Sequence, residues 1–109
     1  MAKRHDVAKK ISYHNDLIEA LKDPAEAAAY LDAALEEGDP CLFLLSLRNV
    51  AEAHGGLLKL SQKTKLNRVN LYRMLSRQGN PEINSLAKLL DAMGFRLAVE
   101  AKSTKKRAA

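Results

Sequence analysis

The sequence of 109 residues contains no tryptophan, five aromatic residues in total and a single cysteine, Cys41. A lone cysteine cannot form a disulfide within the chain, so Cys41 is expected to be a small buried apolar residue in a protein of the reducing cytoplasm. The longest apolar run, residues 41–45, is much too short to cross a bilayer. The charged N-terminus also lacks the apolar core of a secretion signal, so we expect no such signal here.

Motifs that carry enzyme chemistry are also missing. The sequence has no glycine-rich phosphate loop, no cluster of metal ligands and no nucleophile elbow. His5 and His14 have no cysteine or carboxylate cluster beside them, and His54 stands at a predicted helix end, where a capping or solvent role is expected. A chain this short is also poorly able to enclose a catalytic carboxylate in a pocket. We therefore expect no enzymatic activity, no bound metal and no cofactor.

A hydrophobic content of 47%, rich in alanine and leucine, favours a single small helical domain. Two Asp-Pro pairs predict helix starts, because aspartate is a good cap and proline is favoured at the first helical position. One helix follows Asp23 and ends at Gly38. A second covers residues 41–53, is apolar on nearly all sides at its start and is expected to be the central buried helix. The predicted inward residues are Ala27, Tyr30, Leu31, Ala34 and Leu35 in the first and Leu42, Phe43, Leu45, Leu47, Val50 and Ala51 in the second.

Residues 57–77 (LLKLSQKTKLNRVNLYRMLSR) have the pattern of two short helices joined by a tight turn. Residues 65–67 form the turn, and Asn67 is a favourable cap for the second helix. The inward faces are marked by Leu57 and Leu60 in the first helix and by Leu71, Met74 and Leu75 in the second. The outward face of the second helix carries no carboxylate and consists of Arg68, Val69, Asn70, Tyr72, Arg73 and Arg77. This arrangement is that of a helix-turn-helix whose second helix enters the major groove of DNA.

Charge is unevenly distributed along the chain, although the net charge is +5. Residues 16–39 contain eight acids and a single base, Lys22, whereas residues 53–81 contain six cations and no acid. A run of charge is often only a solvated face, but here the cations coincide with the predicted helix-turn-helix. The pattern therefore favours a nucleic acid as partner.

If the second helix enters the groove by its N-terminal end, Arg68 and Val69 come closest to the base edges, and Arg73 follows the groove. An arginine can donate two hydrogen bonds to guanine, and a valine can contact the methyl group of thymine. We expect phosphate or base contacts from Asn67 and Asn70, and phosphate contacts from Lys59, Lys63, Lys65 and Arg77. The ring of Tyr72 either touches the sugar-phosphate edge or packs within the protein.

The chain divides into three parts. Residues 1–22 are predicted to be an N-terminal arm, partly disordered, with a short helical turn over residues 16–21. Residues 23–100 form the DNA-binding domain, and residues 101–109 form a basic, disordered tail.

A last helix is predicted over residues 85–93, capped by Asn84 and stopped by Gly94. Residues 95–100 (FRLAVE) then alternate between apolar and polar or small side chains, which predicts a strand. A lone strand has unsatisfied edges, so it either pairs with the same strand of a second subunit or packs on the bundle as an extended tail. The alternative interface for a dimer is the helix-turn-helix face.

Residues 60–75 (LSQKTKLNRVNLYRML) resemble the helix-turn-helix of lambda-repressor-like, XRE-type regulators. More narrowly, four groups of residues resemble HigA-like antitoxins, the antidote proteins of addiction modules. These groups are residues 29–31 with 33–40 (AYL, AALEEGDP), 47–51 (LRNVA), 70–73 (NLYR), and 79–81 with 89–97 (GNP, LLDAMGFRL). Together they cover about residues 16–100. Two positions depart from the pattern, since Lys65 stands where the turn usually has glycine and Ser61 where alanine is frequent; the backbone at Lys65 must therefore be strained or avoid the left-handed conformation.

The resemblance implies an all-α fold, namely a lambda-repressor-like helix-turn-helix bundle of about five helices with a short C-terminal β-strand. It also implies an antitoxin of a type II toxin–antitoxin module that binds double-stranded DNA, represses its own operon and neutralises a cognate RelE-type toxin, a small ribonuclease. In such regulators the residues that match Arg68, Val69 and Arg73 usually face the bases, and a homodimer binds an inverted-repeat operator.

Toxins of this kind are usually basic, so the acidic residues 16–39 are complementary to them. The candidate toxin-binding residues are Asp16, Leu17, Ile18, Glu19, Asp23, Glu26 and Tyr30. Alternatively, the helix after Asp23 packs on the bundle with its acids in water. Two other functions also stay open: a stand-alone, phage-type regulator with no toxin, and an interaction module whose helix-turn-helix no longer binds DNA.

Overall fold

The computed structural model describes the backbone of residues 4–76 and 78–102, with side chains from residue 9 onwards. Within these residues the chain is all-helical, with six α-helices and no strand. The helices are α1 (Arg4–Ala20), α2 (Pro24–Glu36), α3 (Pro40–Ala53), α4 (Gly56–Thr64), α5 (Arg68–Met74) and α6 (Ile83–Ala92). The predicted all-α class is confirmed, and the number of helices is six rather than about five.

The starts of α2 and α3 lie at the two Asp-Pro pairs, as predicted. The Asp39 carboxylate accepts a hydrogen bond from the backbone N–H of Cys41 at 2.9 Å, which satisfies one of the free donors at the start of α3. Asp23 occupies the equivalent position before α2 but makes no such side-chain hydrogen bond. Gly38 follows α2 with a φ of +76°, a left-handed conformation that glycine adopts at little cost.

The core lies where α3 packs against α1, α2 and α4, and α4 in turn packs against α5 and α6. Leu47 of α3, Leu75 at the end of α5 and Leu89 of α6 are completely buried. Three leucines that were predicted to point inward are instead partly exposed: Leu35 by 55%, and Leu42 and Leu45 by 39% each. α3 contacts α1, α2 and α4, as expected of a central helix, but although apolar residues surround it at its start it buries only one face.

The N-terminal segment is more regular than predicted, because α1 covers residues that were expected to form an arm with one helical turn. Among its described side chains, Leu17 packs against the core and the His14 ring forms a hydrogen bond with the Glu52 carboxylate of α3 at 3.0 Å. Leu21, just after α1, is 2% exposed. The His54 ring donates a hydrogen bond to the Leu21 carbonyl oxygen at 3.1 Å. From residue 9 to the end of α1, only Leu17 and Ile18 are half-buried and the other side chains are exposed, which fits the weak apolar periodicity of the sequence. Residues 1–3 of the predicted arm lie outside the described residues, and the boundary at residue 22 stays a prediction.

The C-terminal part differs from prediction in two respects. α6 begins at Ile83 after Glu82, so Asn84 is inside the helix and is not its cap. Residues 95–100 form no strand in this chain, because no neighbouring strand is available to share backbone hydrogen bonds. Gly94 does follow α6 with a positive φ of 90°. Residues 103–109 of the predicted tail lie outside the described residues.

Candidate functional site

The turn between α4 and α5 is fixed by two side chains. The Thr64 hydroxyl donates to the Leu60 carbonyl oxygen at 2.7 Å and accepts from the Leu66 N–H at 3.1 Å, so it links the end of α4 to the turn. The Asn67 side-chain oxygen accepts from the N–H groups of Val69 at 2.8 Å and Asn70 at 3.3 Å. The predicted cap at Asn67 is therefore confirmed, and the first turn of α5 is held from its start.

Lys65 adopts the left-handed conformation, with φ 62° and ψ 16°. It is the only residue other than glycine with a positive φ in the described part of the chain. Of the two possibilities that the sequence allowed, the structure therefore has the strained one. The side-chain carbon of a lysine is crowded by its own backbone in this conformation, at a cost of about 1 kcal/mol relative to glycine.

The two sides of α5 have opposite properties. Leu71 and Met74 are buried, at 1% and 8% exposure, and they fix the helix on the core as predicted. Val69 and Tyr72 are exposed by 61% and 48%. Arg68, Asn70 and Arg73 are exposed as well. The structure thus brings these five predicted residues together on one accessible face that carries two cations and no acid.

The lysines that were predicted beside α5 are exposed, but they are not equivalent. Lys63 donates a hydrogen bond to the Ala92 carbonyl oxygen at 3.2 Å, at the end of α6. A cation is favoured there because the last carbonyls of a helix carry partial negative charge. Lys59 and Lys65 have no such partner among the described residues. Arg77, the remaining candidate, lies outside the described residues.

One further cation adjoins α5 that the sequence did not single out. The guanidinium carbon of Arg48, in α3, lies 5.8 Å from the centre of the Tyr72 ring. This distance is within the range of an attractive cation–π contact. Arg48 is the only basic residue of α3, and its presence among apolar neighbours was the signal that could have drawn attention to it.

A cavity of about 530 Å³ opens beside α5. It is lined by Asn70 and Arg73 of α5, the loop 78–81, and Glu82 and Ser85 at the start of α6, among others. The loop can approach so closely only because Gly79 lacks a side chain: a Cβ atom there would stand 2.1 Å from the Met74 carbonyl oxygen. The cavity lies along one side of the exposed face of α5.

The predicted toxin-binding residues are distributed over α1 and α2 and differ in exposure. Asp16, Glu19, Asp23 and Glu26 are all exposed, and Glu19 forms an ion pair with Lys22 at 2.7 Å. The three predicted apolar residues, Leu17, Ile18 and Tyr30, are half-buried.

Two of those apolar residues contribute to the chain's own packing. Leu17 contacts the core, and the Tyr30 hydroxyl accepts a hydrogen bond from the Asn49 side chain at 3.0 Å, which joins α2 to α3. The four acids are exposed to a partner, although Glu19 is shared with Lys22, whereas Leu17 and Tyr30 are partly covered by the chain's own packing.

Other kinds of site find little support in the described part of the chain. It contains no group of three or more side chains of the metal-ligating types placed to hold an ion. None of its helices has both the length and the hydropathy that a membrane-spanning segment needs. Cys41 is a free thiol and only half-buried, so it is less enclosed than the sequence suggested.

Comparison with known proteins identifies the family. Residues 11–101 match the sequence model of a family described as "Probable addiction module antidote protein". The chain belongs to this family. The antidote protein also resembles an uncharacterised protein of Haemophilus influenzae (strain Rd), to which it is 28% identical over 85 residues, or 78% of this chain and 87% of the relative. No solved structure matches the chain. An antidote acts on a toxin, so family membership implies a toxin partner in general terms.

Proposed function

We propose that this antidote protein is a HigA-like antitoxin that binds double-stranded DNA through α5 and represses its own operon. The observation that carries the proposal is the exposed face of α5, where Arg68, Val69 and Arg73 stand together without an acid. α4, the turn and α5 then act as an XRE-type helix-turn-helix. α5 is presented from its capped N-terminal end, where Arg68 and Val69 are closest to a base edge.

Recognition of the base sequence and attraction to the phosphate backbone are assigned to different residues. Arg68 and Arg73 can each make two hydrogen bonds to a guanine, while Val69 can contact a thymine methyl group. Asn67 and Asn70 contact phosphates or bases, whereas Lys59, Lys65 and Arg77 contact phosphates, as does Lys63 if it leaves the Ala92 carbonyl. The Tyr72 ring, which contacts Arg48, stands at the edge of this surface. Because one helix in one groove gives limited affinity, the protein acts as a homodimer on an inverted repeat.

The test is binding to the DNA directly upstream of the protein's own gene, at two salt concentrations. Wild-type protein should bind tightly and lose affinity as salt rises, because cations on the protein release ions from DNA. Arg68→Ala should weaken binding about ten- to a hundredfold, the cost of a lost base contact. Lys22→Ala, which removes a cation from the acidic part of the chain, should bind like the wild type. Absence of salt-dependent binding in the wild type would refute the proposal.

We further propose that the toxin is a RelE-type ribonuclease and that it docks on the acidic surface formed by Asp16, Glu19, Asp23 and Glu26. All four side chains are exposed, and a basic RNA-binding protein is complementary to them. Leu17, Ile18 and Tyr30 would then contribute only the parts of their side chains that the core leaves uncovered. Complementary charge acts mainly on the rate of association and makes it depend on salt.

A pair of variants with equal charge change tests this surface. Glu19→Gln/Glu26→Gln should slow association with the toxin encoded beside the protein, and the difference from wild type should shrink at high salt. Glu82→Gln/Asp91→Asn removes two exposed acids outside this surface and should associate like the wild type. Equal association rates for all three proteins would remove the acidic surface from the proposal.

A further inference from the structure

The segment after α6 leaves the body of the protein with its backbone unpaired. Residues 96–100 make no backbone hydrogen bond to another described residue. Val99 is completely exposed, and Leu97 is 44% exposed. A row of free N–H and C=O groups beside exposed apolar side chains is a template for pairing with another strand.

The start of this segment is nevertheless held firmly. The Phe95 N–H donates to the Leu90 carbonyl oxygen at 2.8 Å. The Phe95 side chain packs against the core, and its ring meets the His54 ring edge-on, with 5.7 Å between the ring centres. Residues 96–100 therefore leave the domain from a fixed point, so their position can define how a partner is placed.

We propose that two copies of the protein pair through this segment as antiparallel strands, with Ala98 of one copy opposite Ala98 of the other. The inference rests on the homodimer of the proposed function and specifies how that dimer is built. The occupant of the free edge is a second copy of the chain, because the sequence of the segment is complementary to itself in this direction.

Symmetry limits the possible registers. A two-fold axis normal to a pair of antiparallel strands keeps each side chain on its own face, and residues directly opposite each other also share a face. Successive residues point to opposite faces of the strand. The axis must therefore lie midway between the two copies of a single residue, which is then directly opposite itself. Within the segment, the candidates for this central residue are Leu97, Ala98 and Val99.

Only the axis at Ala98 pairs the charges favourably. It places Arg96 opposite Glu100 twice, and Leu97 opposite Val99 twice. An axis at Leu97 sets Arg96 opposite Ala98, and an axis at Val99 sets it opposite Lys102, another cation. Opposite charges and apolar pairs directly across an antiparallel ladder are stabilising, whereas like charges are destabilising.

Parallel pairing is disfavoured by the same residues. Two identical strands in parallel and in register would bring Arg96 beside Arg96 and Glu100 beside Glu100. Neither Arg96 nor Glu100 forms an ion pair with another described residue in the single chain, so both are available to a partner. The order of charges along the segment, cation first and anion four residues later, therefore selects the antiparallel arrangement.

The test uses two charge reversals, Arg96→Glu and Glu100→Arg, in the full-length protein without DNA and at low salt, where exposed ion pairs are least screened. Each variant alone sets like charges opposite each other at two places. We expect the dissociation constant of the homodimer to rise about tenfold or more in each, as measured by sedimentation equilibrium. Circular dichroism checks that the helices are intact.

Mixing the two variants is the decisive measurement. The Arg96→Glu copy carries an acid at both charged positions, and the Glu100→Arg copy carries a base at both. When these copies face each other, both charge pairs become attractive, and a heterodimer should form with near wild-type affinity. Native mass spectrometry separates the heterodimer from the homodimers when one variant carries a mass label. The register is overturned if the mixture stays as weakly associated as each variant alone, or if the single variants dimerise like the wild type.

The result of the dimerisation experiment does not depend on whether the protein binds DNA. A wild type that dimerises through this register but does not bind the upstream DNA would overturn the proposed function and leave the dimer standing. A protein that binds DNA with salt dependence, but whose dimer ignores both charge reversals, would overturn the dimer register and leave DNA binding standing. A wild type that is monomeric at all concentrations also overturns the register.

Discussion

The guanidinium group of Arg48 lies against the ring of Tyr72, with 5.8 Å between the guanidinium carbon and the ring centre. The contact joins the exposed side of α3 to the exposed side of α5. It therefore gives α5 a second attachment, beside the buried residues Leu71 and Met74. The ring also holds the arginine at the edge of the face that we propose to enter DNA.

A double-mutant cycle measures this contact. Arg48→Ala and Tyr72→Ala, made singly and together, should show a coupling of about 0.5–1 kcal/mol in the free energy of unfolding, the range for an exposed cation–π pair. Tyr72→Phe keeps the ring and should retain the coupling with Arg48. Urea denaturation provides the values, and additive single effects would show that the two side chains do not interact.

The cap of α5 is a second quantity open to measurement. Asn67→Ala removes the acceptor for two backbone N–H groups and should lower the free energy of unfolding by about 1 kcal/mol. Asn67→Asp keeps the acceptor and places a negative charge at a helix start, so its stability should stay close to that of the wild type. If the alanine and aspartate variants unfold at the same urea concentration, loss of the capping hydrogen bonds does not explain the lower stability of Asn67→Ala.

Lys65 offers a test that separates conformation from charge. Lys65→Gly relieves the left-handed strain and should raise the free energy of unfolding by up to about 1 kcal/mol. The gain is reduced by the conformational entropy that glycine adds to the unfolded chain. Lys65→Ala removes the same charge but keeps the Cβ atom, so it should not be stabilised. Both variants should lose DNA affinity equally if the lysine contacts a phosphate. Thermal unfolding and DNA titration of the two variants together distinguish these effects.

The loop beside α5 depends on Gly79. Gly79→Ala would place a carbon 2.1 Å from the Met74 carbonyl oxygen, so loop or helix must move, and we expect a loss of about 1–3 kcal/mol of stability. Asn80→Ala, at the exposed neighbouring position, should change stability by less than about 0.5 kcal/mol. Chemical denaturation of both variants checks the difference, and a Gly79→Ala protein as stable as the Asn80→Ala protein would contradict the close approach.

Features set by local chemistry could be predicted from the sequence. The starts of α2 and α3, the cap at Asn67 and the inward face of α5 each depend on residues within one or two turns, and the structure has all of them. The start of α6 was misplaced because Asn84 is a good cap by type, although Glu82 occupies that position.

Features that need a distant residue could not be predicted. Arg48 and Tyr72 are far apart in sequence, as are Lys63 and Ala92, and no local pattern pairs them. Leu42 and Leu45 look buried on a helical wheel, but only the packing of neighbouring helices decides which side of α3 is covered.

Residues 95–100 alternate as a strand does, but a strand forms only beside another strand. The described part of a single chain offers no such neighbour, so the predicted strand is not formed in the single chain.

The position of α3 has an electrical consequence. α3 packs against α2, which belongs to the acid-rich residues 16–39, and also against α4, which belongs to the acid-free residues 53–81. α2 and α4 do not pack extensively on each other, so we expect the acidic and the basic helix to give the molecule a dipole. A polyanion that approaches would exert a torque on the protein and rotate its cationic end forward before any contact forms. Mutations that add acids near α4, or bases near α2, would reduce this alignment even where they touch no partner.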